Sequence, residues 1–115
     1  MTGAGPSPFS VTVAEADGRV VVSFTGELDL ATAAEAEDAI VGAVTAGRHA
    51  VVDLRGLEFM DSTGVRVLIA AHRAAGEHGG RLSLVRPGDE SPVGRVLAIS
   101  GLDSVLELVD GPEEL

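Results

Sequence analysis

Apolar and polar positions change period several times along this chain, and each change marks an element. Phe9–Ala14, FSVTVA, alternates as a half-buried strand does. Val20–Thr25, VVVSFT, repeats the signal, and Asp17-Gly18 between the two predicts a tight hairpin turn. Gly26-Glu27-Leu28-Asp29 breaks the pattern and predicts a corner. Ala36, Ile40, Ala43 and Val44 then recur at helical spacing, with Thr32 and Glu35 forming a capping-box pattern and Gly47 a stop. His49–Leu54 is continuously apolar, the pattern of a strand covered on both faces. A loop follows, and a second helix is predicted from Ser62 to about His78, with Val65, Leu68, Ile69 and His72 along its inner stripe and Gly79-Gly80 ending it. Arg81–Val85 reads as a strand. Ser91-Pro92 opens a short helix with Val93, Val96 and Leu97 inward, which Gly101 closes. Val105–Val109 predicts a last strand.

The order is β-β-α-β-α-β-α-β. Strands alternating with helices imply parallel neighbours, and the opening hairpin adds one antiparallel pair. The expected fold is therefore α/β, a single domain over residues 9–110 with helices packed on a mixed sheet. Residues 1–8 are expected to be a flexible tail and residues 111–115 a frayed acidic one.

Composition narrows the function classes. The 115 residues suffice for one core, and 45% of them are apolar. The formal net charge of −10 repels nucleic acid and anionic membranes, so neither is expected as a partner. There is no Trp or Tyr and only three Phe, so base-stacking platforms lack material. Without Cys there is neither a disulfide framework nor a thiolate metal site. His49, His72 and His78 do not fall at ligand spacing, so no metal is expected. No apolar run reaches membrane-spanning length, and Met1–Pro8 lacks the pattern of a secretion signal, which makes the cytoplasm the expected compartment.

Candidate chemistry concentrates in Val51–Ile69, VVDLRGLEFMDSTGVRVLI. An apolar strand runs into a loop ending in Asp61-Ser62-Thr63-Gly64, and a helical run follows at once. Ser62 is thereby expected on the first turn of a helix, where free backbone N–H groups and the positive end of the macrodipole tolerate a phosphate. The residues alone allow two readings of Ser62, a modifiable hydroxyl or a simple cap, and Asp61 is the expected N-cap. Gly64 has two readings as well: close approach of a partner's backbone, or a local need within the loop. Asp53 is expected to satisfy loop amides. One of Phe59 and Met60 is expected to pack beneath the loop. Asp-Ser-Thr-Gly superficially matches an aspartic protease signature, but a helix follows it directly and an extra residue separates Asp61 from Gly64. Neither a nucleophile elbow nor a phosphate-binding glycine loop occurs.

Taken together, Gly26-Glu27-Leu28-Asp29, the strand Val51–Leu54, Phe59-Met60-Asp61-Ser62-Thr63-Gly64 and Ile99-Ser100-Gly101-Leu102 resemble the STAS domain, and more narrowly the stand-alone bacterial anti-sigma factor antagonists. The resemblance implies a partner switch without catalytic activity or cofactor of its own. In that family the unmodified antagonist holds an anti-sigma factor that is also a serine kinase. Phosphorylation by ATP releases it, and a PP2C-type phosphatase restores it. Carried onto this sequence, the phosphoacceptor is Ser62, with Thr63 as a second hydroxyl. The partner-binding residues are Glu27, Asp29, Met60, Asp61, Ser62, Thr63, Gly64 and Arg66. The alternatives are a STAS accessory subunit of a lipid-type transporter, a signalling scaffold and, remotely, an aspartic-type hydrolase.

Overall fold

A computed structural model describes residues 9–45 and 47–115. The tail expected over residues 1–8 lies outside the described residues. Strand β1 (Ser10–Ala16) turns at Asp17-Gly18 into β2 (Arg19–Leu28). Both turn residues have positive φ, 54° and 77°, as a two-residue hairpin matched to strand twist requires. Helix α1 (Ala33–Val44), β3 (His49–Asp53), β4 (Leu57–Met60), α2 (Ser62–Glu77), β5 (Arg81–Val85), α3 (Pro92–Ser100) and β6 (Glu107–Val109) follow.

The sheet order is β1-β2-β3-β5-β6, with only β1–β2 antiparallel. Alternate residues of each strand face the three helices and form the main core, with Val22, Phe24, Leu28, Val52, Leu54 and Leu84 almost fully buried against Ile40, Leu68 and Leu97. The other sheet face carries a small cluster of Val51, Val85 and Val109.

Several expectations change. Gly26–Leu28 is not a corner: β2 continues through it with an irregularity at Gly26 (φ 88°), where the register against β4 shifts, and the strand ends at Leu28. The reason is β4, read from sequence as loop. Three of its four residues pair with the far end of β2 (Gly26↔Leu57, Glu27↔Phe59, Leu28↔Met60), Glu58 being passed over at the register shift, and they do so past the point where β3 has ended. The order is therefore β-β-α-β-β-α-β-α-β. The buried stripe of α2 is Gly64, Val67, Leu68, Ala71 and Ala75, rotated from the predicted one; Val65, Ile69 and His72 lie half-buried on its flank. Small residues at 64, 71 and 75 let the helix approach the sheet, and that outweighs the larger side chains.

Thr32 makes no side-chain cap to α1. Its hydroxyl donates to the Glu27 carbonyl (2.9 Å) and accepts from the Asp29 N–H (3.0 Å), bracing the bend instead. The last strand starts at Glu107 rather than Val105, because Leu102–Ser104 forms a 3₁₀ turn that buries Leu102 and leaves Val105 exposed. Residues 111–115 are not frayed. Pro112–Glu114 is a 3₁₀ turn, the Leu115 carbonyl accepts from Arg19 (2.9 Å), and the Leu115 side chain packs on the Val51 cluster. Ser91 caps α3 as expected, accepting from the Gly94 N–H (3.0 Å), and Gly101 ends it at φ 76°.

Candidate functional site

The site is built where β2 and β4 end together. The Asp61 N–H donates to the Leu28 carbonyl (3.4 Å), which fastens the start of α2 to the end of β2. Asp61 adopts extended backbone, and its carboxylate accepts from the Thr63 N–H at 2.9 Å, the arrangement of an N-cap. Ser62 is then the first helical residue and is exposed. One helical turn on, Arg66 is exposed too. The spacing of four places its guanidinium on the same helix stripe as the Ser62 hydroxyl. Thr63 is half-buried, so of the two adjacent hydroxyls Ser62 is the more accessible.

Met60 and Gly64 do not belong to the surface, which corrects their expected partner contact. Met60 is 1% exposed and Gly64 is buried. A Cβ built on Gly64 would stand 2.3 Å from the Met60 Cγ, 2.9 Å from its sulfur and 3.1 Å from the Leu28 Cδ2. Gly64 is thus required by packing inside this molecule. Of the pair before Asp61, Met60 is the one beneath the loop, and Phe59 is 42% exposed.

Glu27 and Asp29 flank the same corner, each half-buried. The Asp29 carboxylate accepts from the Ala31 N–H (3.0 Å), closing an Asx turn that shapes the bend. Asp53 acts as expected on the loop: its carboxylate accepts from the backbone N–H of Arg55 (3.0 Å) and from its guanidinium (2.9 Å). Burial pushes that carboxyl up, but the Arg55 hydrogen bonds and charge outweigh it and hold Asp53 below its ordinary value. Leu30 went unnoticed in the sequence, yet it stands at the bend with 79% of its surface exposed. Its signal was there: a large apolar residue between Asp29 and Ala31 that belongs to neither the strand nor the helix pattern.

The arrangement is an exposed serine at a helix start, braced from beneath by Met60 and Leu28. Two cavities of about 140 and 290 Å³ are lined by other residues. The Asp61 carboxylate is engaged as a helix cap on an α/β sheet, which removes the aspartic-hydrolase alternative.

The sequence model of a family described as "Mlab, STAS domain" matches residues 11–110. The anti-sigma-F factor antagonist RsfB of Mycobacterium tuberculosis is 36% identical over 104 residues, covering 90% of this chain and 83% of that protein. The chain belongs to the STAS domain family, as an anti-sigma factor antagonist. An anti-sigma-B factor antagonist of Staphylococcus epidermidis is 31% identical over 80% of this chain and 84% of its own. A solved anti-sigma factor antagonist from Mycobacterium paratuberculosis superposes with a TM-score of 0.82 at 33% identity, covering 96% of this antagonist and 93% of that chain. The unphosphorylated and phosphorylated forms of the Bacillus protein SpoIIAA superpose with TM-scores of 0.66 and 0.64, both at 26% identity, covering 93% of this chain and 92% and 95% of theirs. The family is non-enzymatic. Among the described residues no helix is long and apolar enough to cross a membrane.

Proposed function

We propose that this antagonist binds an anti-sigma factor with serine kinase activity while Ser62 is unmodified, and leaves it when Ser62 is phosphorylated. The observation that carries the reading is the exposed Ser62 hydroxyl at the first position of a helix capped by Asp61. In the transfer, the Ser62 oxygen attacks the γ-phosphorus of ATP, ADP departs, and the hydroxyl proton passes to a base on the kinase. A PP2C-type phosphatase hydrolyses the ester and closes the cycle. Release of the anti-sigma factor's grip on its sigma factor is the output, and transcription follows.

The added group carries about −1.5 to −2 charges. Within the domain three effects bear on it. The α2 macrodipole and Arg66 favour it, and Asp61 opposes it. The domain therefore keeps its fold, and the similarity to both forms of SpoIIAA supports this. At the interface the balance is different. A dianion pressed against a surface that received a neutral hydroxyl loses hydration beside Asp61 and Glu58. A penalty of roughly 3–4 kcal/mol lowers affinity by two to three powers of ten, enough to reverse a choice of partner.

The test incubates the protein with anti-sigma factor kinases of its source organism and ATP, locates the phosphate by mass spectrometry and compares the affinities of both forms. Modification at Ser62 with loss of binding is expected, and Ser62→Ala should bind constitutively. Equal affinity of the two forms, or normal regulation of Ser62→Ala through Thr63, overturns the assignment.

A further inference from the structure

We infer that Leu30 is the apolar anchor of this surface and fills a hydrophobic pocket, rimmed by basic side chains, on the anti-sigma partner. The inference rests on the function proposed above and names the chemistry of the contact. Among the described residues Leu30 is 79% exposed, and the bend that carries it does not need a leucine. That bend is held by other groups. The Asp29 N–H donates to the Thr32 hydroxyl (3.0 Å), the Thr32 hydroxyl to the Glu27 carbonyl (2.9 Å), the Ala31 N–H to the Asp29 carboxylate (3.0 Å) and the Thr32 N–H to the Asp29 carbonyl (3.2 Å). Every one of these bonds would survive replacement of the Leu30 side chain.

Two properties make this an anchor rather than one of the single apolar residues that any surface shows. The first is position. Leu28, two residues away, accepts the hydrogen bond from Asp61 that fixes the start of the Ser62 helix. Leu30 and the modifiable hydroxyl therefore sit on one braced corner, and little ordering entropy is lost when a partner takes hold of it. The second is its setting. Glu27 and Asp29 precede Leu30 on the end of β2, and the pairing of Glu27 with Phe59 and of the Leu28 carbonyl with the Asp61 N–H brings Glu58 and Asp61 to the same strand ends, so the corner is acidic, with Arg66 one turn into α2. An apolar tip inside an acidic rim fits an apolar pocket inside a basic one. Tyr and Trp, the usual anchors, do not occur in this chain; Phe59, the aromatic at this corner, is 42% exposed against 79% for Leu30, and Ile99, 84% exposed, belongs to α3 and not to the bend. Val13, 56% exposed, lies on β1 opposite Val22, some six strand residues or about 20 Å from Leu28, and serves as a remote control.

Titration of the anti-sigma factor that phosphorylates this chain tests the anchor. Leu30→Ala should weaken binding roughly 10- to 100-fold, the loss expected when a buried leucine is truncated. Its melting temperature should stay close to the parent's, since most of the side chain is open to solvent and the bend is held by other groups. Leu30→Met should retain most of the affinity, and Val13→Ala all of it. If the parent binds and Ser62→Asp does not, while Leu30→Ala binds like the parent, the anchor is wrong and the switch stands. If no kinase of this type binds the parent protein, both fall.

Discussion

At the carboxyl ends of the strands the chain presents Ser62 and Leu30 to solvent on a braced corner. At the amino ends of β3, β5 and β6 it does the reverse with similar materials. Ser83, the one buried polar side chain among the described residues, donates to Glu107 (2.5 Å) and contacts His49 Nε2 (2.7 Å). Arg81 closes the row on Glu107 (2.7 Å). One serine is left open and the other is fully engaged. Since the Ser83 proton goes to Glu107, His49 must donate to the Ser83 oxygen, which fixes the imidazole with its proton on Nε2. That row ties three strands together, including β6, which has only three residues. The difference teaches where change is tolerated. A new charge at Ser62 meets water and a helix terminus, and a new charge at Ser83, which has no exposed surface, would stand against the Glu107 carboxylate.

The sharpest break of this contrast comes from placing a charge on each serine. Ser62→Asp should leave the melting temperature near the parent value while lowering affinity for the anti-sigma factor by roughly two powers of ten or more. Ser83→Asp should unfold the sheet edge, visible in circular dichroism. If Ser62→Asp destabilised the domain as much as Ser83→Asp, the switch would be a refolding event and not a surface one.

Much of this was legible before the structure. Ser62, Asp61 and the helix behind them follow from cap chemistry and an apolar period, which are local. The hairpin follows from Asp17-Gly18 for the same reason. What failed was non-local. β4 is four residues of unremarkable pattern, and it becomes a strand only because β2 outruns β3 and offers an open edge. Thr32 and Glu35 spell a capping box, yet the Thr32 hydroxyl finds the Glu27 carbonyl, five residues back across a bend that one-dimensional spacing does not describe. Gly64 shows the limit most clearly. Its neighbours Met60 and Leu28 come from two strands, so only the packed structure distinguishes an internal requirement from a partner's approach.

Gly64→Ala is the next largest effect. The added methyl must displace Met60, which is enclosed, and overpacking of this kind costs about 1–3 kcal/mol, offset in part by up to ~1 kcal/mol of helix propensity. Denaturant titration should show a net loss, and Gly64→Ala combined with Met60→Leu should recover part of it. A neutral result would mean that the switch corner is decoupled from the core beneath it. Ser83→Ala comes third. It removes two hydrogen bonds from the row at the other end, for about 1 kcal/mol, because His49 and Glu107 keep some access to water.

The smallest effect is a pH dependence, most of it from that second region. Burial lowers the His49 pKa first, the Arg81 and Arg19 charges lower it further, and Glu107 only partly opposes them. A group depressed in the folded state binds fewer protons there than in the unfolded chain. Stability contributed by neutral His49 is therefore complete above its unfolded value of about 6.5, falls as pH drops below it, and levels off beneath the folded value. Carboxylates give a separate window. Ser83 and Arg81 hold Glu107 low against the opposing effect of burial, and Arg55 holds Asp53 low, so their contribution is present above roughly pH 4 and disappears below it. Denaturation midpoints at pH 7.5, 6.0 and 5.0 separate the two, since that range spans the His49 window and lies above the one for Glu107 and Asp53. His49→Gln should flatten the slope across that range. A slope that survived His49→Gln would detach the row from pH and leave it as a purely mechanical tie across β3, β5 and β6.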